Sequence, residues 1–160
     1  MLAYNVIIET PRGSSEKYDY DEKNKSFFLK KKLPAGMCFP NDFGFIPGTR
    51  GEDGDPLDAM VIAEFRTFTG CHISCRLIGS IEADQTEKDE TVRNDRFFFI
   101  PDASLVYKHI VSIDDLSSSY VEELISFFIN YNKLEGEEFK PLKVLTAEKA
   151  SKLLEEGMQA

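Results

Sequence analysis

Asp53, Asp55 and Asp58 fall within the stretch G-E-D-G-D-P-L-D, Gly51 to Asp58, where four carboxylates share eight residues with two glycines and a proline. In an extended chain, residues two apart face the same side, roughly 6–7 Å from one another along the strand. Asp53 and Asp55 are so related, and Asp58 follows three residues on. Gly54 permits a positive φ and Pro56 stiffens the exit. The spacing therefore aims three carboxylates into one small volume. Left unpaired, they repel and push up one another's pKa; a divalent cation among them removes the repulsion. Carboxylate and water oxygens suit hard ions such as Mg²⁺ or Mn²⁺, and the two histidines, His72 and His109, are distant in sequence. A calcium loop of the EF-hand kind is excluded, because Gly54 and Pro56 stand in the wrong places for it. Two readings fit the stretch, a charged surface turn and a cation site, and spacing alone leaves both open.

The bulk chemistry narrows what such a site would serve. The 160 residues favour one domain, 1–160, with one core. The formal net charge is −9. Nucleic-acid affinity comes largely from Lys and Arg neutralising phosphates, so no nucleic-acid partner is expected. If this chain binds a polyanion, positive charge must come from elsewhere, and metal ions supply it. No apolar run reaches the roughly 18 residues of a membrane span, so no membrane partner is expected. The first residues lack a basic segment followed by a long apolar core, which reads as a cytoplasmic protein. The three cysteines, Cys38, Cys71 and Cys75, are an odd number and suggest no disulfide framework. Cys71, His72 and Cys75 lack the spacing of a zinc pair and a second pair of ligands.

Around these residues the pattern predicts an α+β fold. Val6 to Glu9 reads as a strand. Tyr18–Asp21 and Phe27–Leu29 flank a turn and read as a hairpin. Met37 to Ile46 is extended but irregular, broken by Pro40 and Gly44. Leu57–Ala63, Cys71–Glu82 and Phe97–Ile100 read as strands. The polar run from Asp84 to Arg96 reads as an exposed loop. The period then becomes helical: Val121, Leu124, Ile125, Phe128 and Asn132 share a stripe, with Tyr131 on its flank and Ser117 to Ser119 as caps. Thr146 opens a second helix, with Ala147, Ala150, Leu153, Leu154 and Met158 on one stripe. Short strands followed by two helices predict a small barrel with two C-terminal helices.

Three blocks, in order, carry a resemblance: E-T-P-R-G-S-S-E-K-Y-D-Y-D, then L-P-A-G-M-C-F-P-N-D-F-G-F-I-P-G-T, then D-G-D-P-L-D-A-M-V. Together they resemble the family I soluble inorganic pyrophosphatases, closely from Val6 to about Ile100 and more weakly through F-F-I-N-Y-N-K-L-E-G. The resemblance implies a five-stranded OB-like barrel with flanking helices and metal-dependent hydrolysis of inorganic pyrophosphate to two phosphates by a metal-activated water. It implies Mg²⁺, with Mn²⁺ and Zn²⁺ as alternatives. It casts Asp53, Asp55 and Asp58 as metal ligands, and Asp55 as the group that deprotonates the attacking water. Glu9, Lys17 and Asp19 match active-site positions, Lys17 as a phosphate contact. Lys31 falls where the family usually carries a phosphate-binding Arg, and Tyr131 matches a Tyr that contacts phosphate. The length resembles the bacterial type, which implies a homo-oligomer, a hexamer in preference to a dimer.

The chain also departs from that pattern. Phe39 and Phe43 stand where Tyr is usual, and Lys31 lacks the bidentate fork of Arg. Lys133 lies one place after the expected Lys. The second acidic loop, D-E-x-x-x-D-x-K in the family, is here D-Q-T-E-K-D-E-T-V-R-N-D-R. Asp84, Glu87, Asp89 and Asp95 are its candidate metal ligands. Asp95 with Arg96 is the preferred match to its close, with Asp84 as the further ligand. Two rival readings are a relative that binds metal and phosphate without turnover and an OB-like nucleic-acid module. The second wants a positive groove with stacking aromatics, whereas Phe39, Phe43 and Phe45 have acidic neighbours.

Overall fold

The structure, a computed structural model, describes residues 2–158. Strand β1 (Tyr4–Thr10) alternates strictly: Val6, Ile8 and Thr10 are buried, and Ile7 and Glu9 take the other side. Strands β2 (Glu16–Asp21) and β3 (Ser26–Lys32) form a separate two-stranded hairpin. β4 (Asp42–Phe45) runs antiparallel to β1, with Gly44 opposite Ile8. A Cβ at Gly44 would lie 1.9 Å from the Ile7 carbonyl oxygen, so only glycine lets the two backbones approach.

β5 (Asp58–Val61) pairs with β4 and, in parallel, with β8 (Arg96–Pro101); Asp58 and Arg96 are direct partners in that register. β6 (His72–Glu87) is the longest strand, at 16 residues. It pairs with β8 and also with β1. The pairings thus run round a ring, β1-β4-β5-β8-β6-β1. This is the expected barrel-like arrangement of five strands, enlarged by two more strands into a seven-stranded sheet.

Both additions correct the sequence reading. The run from Asp84 to Arg96 is a hairpin: β6 continues to Glu87 and returns as β7 (Glu90–Arg93). Lys88 and Asp89 form its two-residue turn, both at positive φ, 50° and 67°, the backbone a tight hairpin demands. β9 (Glu138–Thr146), between the two helices, was not expected. Pro141 sits at a register shift on a strand paired only with β6 among the described residues, where proline is tolerated.

Helix α1 (Ser118–Leu134) buries Val121, Leu124, Phe128, Tyr131 and Asn132. Ser117 is its N-cap residue, but its hydroxyl makes no capping bond. Helix α2 (Ala147–Met158) buries Ala150, Leu154 and Gly157, while Met158, expected on that stripe, is exposed. The alternation of β8 divides the core. Phe98 packs with Phe43, Met60 and Phe128 on the α1 side; Phe97 and Phe99 pack with Val6, Ile8 and Leu154 on the α2 side. No helix of the described residues is long and apolar enough to cross a membrane.

Candidate active site

One cleft of ≈ 940 Å³ collects most of the polar residues singled out above. Glu9, Lys17, Asp19, Asp53, Asp55, Asp58, Arg96 and Tyr131 all line it. Asp84, Asp95, Lys31 and Lys133 do not. Strand parity explains the first two. On the β6–β7 hairpin, Gln85, Glu87, Glu90, Val92, Asn94 and Arg96 share the cleft side, and residues of the other parity point away. Asp95 accepts hydrogen bonds from the Ala83 amide (3.0 Å) and from Arg93 Nε (2.7 Å) on that outer side. Asp84 lies across from Arg93 in the register. Of the four acids weighed for this segment, Glu87 alone faces the cleft, with Glu90 beside it. Lys31 is turned aside by the register shift between Lys17 and Tyr18. It pairs with Glu135 and lies 5.0 Å from the centre of the Tyr131 ring. Its neighbour Lys30 reaches the cleft instead. Lys133 is exposed on α1, where Asn132 takes the cleft side.

The three loop aspartates do not converge on one point. No group of three His, Cys, Asp or Glu side chains among the described residues is close enough to hold an ion between them, which also leaves Cys71, His72 and Cys75 without a shared centre. The loop geometry shows why. Gly54, at φ +90°, turns the chain so that the Asp55 amide donates to Asp53 Oδ1 at 3.0 Å, and Arg50 reaches the Gly54 carbonyl. Asp53 is thus occupied within its own loop. Asp58 opens β5 and accepts from Arg96 Nη1 at 3.0 Å. The Asp55 carboxylate, exposed at the loop's tip, makes no hydrogen bond among the described residues.

The electrostatics are those of a site short of positive charge on one side. Burial pushes the Glu9 carboxyl up to about 8, against the pull of Lys17, and Asp19 and Asp58 add to the rise. Loss of surrounding water pushes Asp53 up to about 6, with Asp58 and Asp55 adding repulsion. Burial also raises Asp58, against Arg96 and Lys17. Asp19 goes the other way. Burial would raise it, but Lys17 at 2.7 Å and Lys30 at 3.1 Å hold it below the usual carboxylate range. These are the conditions under which a hard divalent cation is held. The donors are all oxygen, and Mg²⁺ keeps several waters and needs only one or two protein carboxylates rather than a closed cage.

Beside the loop stands a wall that sequence reading missed. Gln85 Oε1 accepts from Asn94 Nδ2 at 2.9 Å and from Arg96 Nη2 at 3.2 Å. Gln85 Nε2 donates to Glu137 at 2.5 Å. Arg96 is 4% exposed and lies 5.2 and 5.1 Å from the ring centres of Phe128 and Phe139. Its Nε and the Tyr131 hydroxyl are buried without a hydrogen-bond partner among the described residues. Had the period-two alternation Ile81, Ala83 been carried two residues further, Gln85 would have been found on this face.

A barrel-like α+β domain whose cleft sets the carboxylates of Glu9, Asp53, Asp55 and Asp58 beside the cationic Lys17, Lys30 and Arg96 defines a class of protein suited to binding an anion together with cations. Known proteins narrow that class. Residues 6–160 match the family model described as inorganic pyrophosphatase. An inorganic pyrophosphatase from Synechocystis sp. is 40% identical over 132 residues, covering 82% of this chain and 75% of that one. Another, from Nostoc sp., is 34% identical and covers 98% of this chain and 90% of that one. Among solved structures, an inorganic pyrophosphatase from Thermus thermophilus superposes with a TM-score of 0.90 at 27% identity, covering 98% of this chain and 90% of that one. The chain belongs to the inorganic pyrophosphatase family.

Proposed function

We propose that this chain hydrolyses inorganic pyrophosphate to two phosphates with the help of Mg²⁺, Mn²⁺ or Zn²⁺ serving as alternatives. The observation that carries this reading is the shared cleft: Glu9, Asp53, Asp55 and Asp58 line it together with Lys17, Lys30 and Arg96, so that it offers carboxylates for cations and cationic donors for phosphate in one place. Asp53, Asp55 and Asp58, too far apart to enclose one ion directly, would hold cations through bound water, and a cation so held supplies Lewis acidity toward phosphoryl oxygens and toward water. The remaining work is positioning and charge, which is most of what phosphoryl transfer asks of a protein. Asp55, exposed and unengaged, takes the proton from the attacking water. The water oxygen forms a bond to one phosphorus while the bridging P–O bond breaks toward the other. Lys17, kept in place by Asp19, and Lys30 neutralise the departing phosphate. Arg96 and Tyr131 add donors from β8 and α1.

The same family reading makes the chain a cytoplasmic homo-oligomer, a hexamer in preference to a dimer. Phosphate release from pyrophosphate with Mg²⁺ tests the activity. It is expected in the wild type and lost in Asp55→Asn. A folded wild type that binds pyrophosphate by calorimetry and releases no phosphate with Mg²⁺, Mn²⁺ or Zn²⁺ overturns the reading in favour of a non-catalytic relative.

A further inference from the structure

The two sides of the cleft differ in what they offer a cation. The loop side presents carboxylates. On the hairpin side, Gln85 and Asn94 stand at the two positions nearest Arg96, and both are amides. An amide oxygen has two lone pairs. Those of Gln85 Oε1 are taken by Asn94 at 2.9 Å and Arg96 at 3.2 Å. The side chain cannot turn over to free its oxygen, because that would set its NH₂ against the Arg96 donors and break the 2.5 Å bond to Glu137. A cation placed here would meet a guanidinium at contact range, and the two carboxylates within reach are already engaged, Asp58 by Arg96 and Glu137 by Gln85. The carboxylates of this hairpin are elsewhere. Asp84 and Asp95 face outward, and Glu87 and Glu90, though on the cleft side, stand at the exposed end of the hairpin by its turn.

The same groups suit an anion. Arg96 is fixed by Asp58 and by the Asn94 carbonyl, at 3.0 and 2.8 Å. The buried Tyr131 hydroxyl has no partner among the described residues, and its residue lines the cleft with Arg96 and Asn94.

We propose that the Gln85–Asn94–Arg96 wall admits no cation and binds a phosphate group of the substrate directly, so that the cations of this enzyme are confined to the side of Glu9, Asp53, Asp55 and Asp58. The proposal rests on the pyrophosphatase reading for the identity of the anion. It implies that the chain works with fewer bound cations than a cleft with carboxylates on both walls.

The test counts cations rather than turnover. Mn²⁺ bound per chain, measured from the paramagnetic resonance signal of free Mn²⁺ without phosphate present, is compared in the wild type, Asn94→Ala and Gln85→Asp/Asn94→Asp. The paired substitution should add about one Mn²⁺ per chain by supplying the missing carboxylates. Asn94→Ala should leave the Mn²⁺ count unchanged. At saturating Mn²⁺ it should weaken binding of methylenediphosphonate, a non-hydrolysable pyrophosphate analogue, about tenfold, the worth of one hydrogen bond to a charged group. Loss of a bound Mn²⁺ in Asn94→Ala overturns the proposal, as does unchanged analogue affinity in that variant. Equal Mn²⁺ counts in a folded paired variant and the wild type also overturn it. Gln85→Asp sets a carboxylate near Glu137 and risks the fold; Asn94→Ala then decides alone. Because no measurement reads hydrolysis, an inactive wild type would refute the proposed function and leave these counts standing.

Discussion

Replacing Arg96 with Met should destabilise the fold by about 3–5 kcal/mol, the cost of stranding one member of a buried ion pair. The structure places the effect within that range. Arg96 is 4% exposed and donates to Asp58 at 3.0 Å, to the Asn94 carbonyl at 2.8 Å and to Gln85 at 3.2 Å. Methionine fills much of the volume between Phe128 and Phe139, so little of the loss is packing. It does forfeit two cation–π contacts, each worth roughly 0.5–2 kcal/mol. The Asp58 side chain keeps 24% of its exposure, and water there softens the penalty, which sets the expectation near the lower end, about 3 kcal/mol. Asp58→Asn alone should cost less, because Arg96 retains its other two acceptors. The double variant should be more stable than the sum of the single changes predicts, by at least about 1 kcal/mol, since the two groups are in contact. Urea unfolding followed by circular dichroism, in chelator and at one protomer concentration, measures all four corners. An Arg96→Met variant within about 1 kcal/mol of wild type, or strict additivity, would refute the claim that this pair holds the β5–β8 seam.

Three further outcomes are expected. Asp55→Asn should lower phosphate release by about 10²–10⁴-fold, the usual loss for a general base, with no change in the urea midpoint because the residue is exposed; a shifted midpoint would mean a structural role instead. Glu9 is protonated in the folded chain up to about pH 8 but ionises near 4.5 when unfolded. The stability it contributes is therefore complete below about pH 4.5 and is lost as pH rises through 8. Relative to Glu9→Gln, the cation-free wild type should lose stability over that window and regain it with Mg²⁺; parallel pH profiles would dismiss the burial of Glu9. Gly44→Ala forces β1 and β4 apart at a 1.9 Å contact with the Ile7 carbonyl and should cost more than about 3 kcal/mol, read as loss of soluble folded protein; a stable variant would show that the two strands can separate there.

The parts of the site readable from sequence were the local ones. Asp53, Asp55 and Asp58 draw notice by their spacing between two glycines and a proline, yet the turn at Gly54 keeps their carboxylates from meeting at one point. Glu9 was singled out by the family resemblance, and the alternation of β1 sets it on the face opposite Val6 and Ile8. The wall was hidden because it depends on register. Whether Asp84 or Gln85 faces the cleft turns on where β6 ends, and a polar strand gives no apolar rhythm to mark its end. Asp95 and Arg96 adjoin in sequence and face opposite ways. Lys30 and Lys31 exchange places through one register shift between β2 and β3, where Lys30 is the extra residue, which no composition betrays. The barrel and two helices were legible from period alone; β9 was not, because Pro141 breaks the pattern that the sheet edge forgives.

β6 also governs when the chain can become itself. It pairs with β1 at one end of the sequence and with β9 near the other, as well as with β7 and β8. Its bonding is incomplete until residue 146 is available. On the ribosome, a nascent chain that already holds the whole acidic loop still has an open flank along half its longest strand. Such an edge invites pairing with other chains. Emergence of β9, rather than synthesis of the acidic loop, is therefore the step that completes the sheet, and refolding should be slow, as non-local pairing makes it.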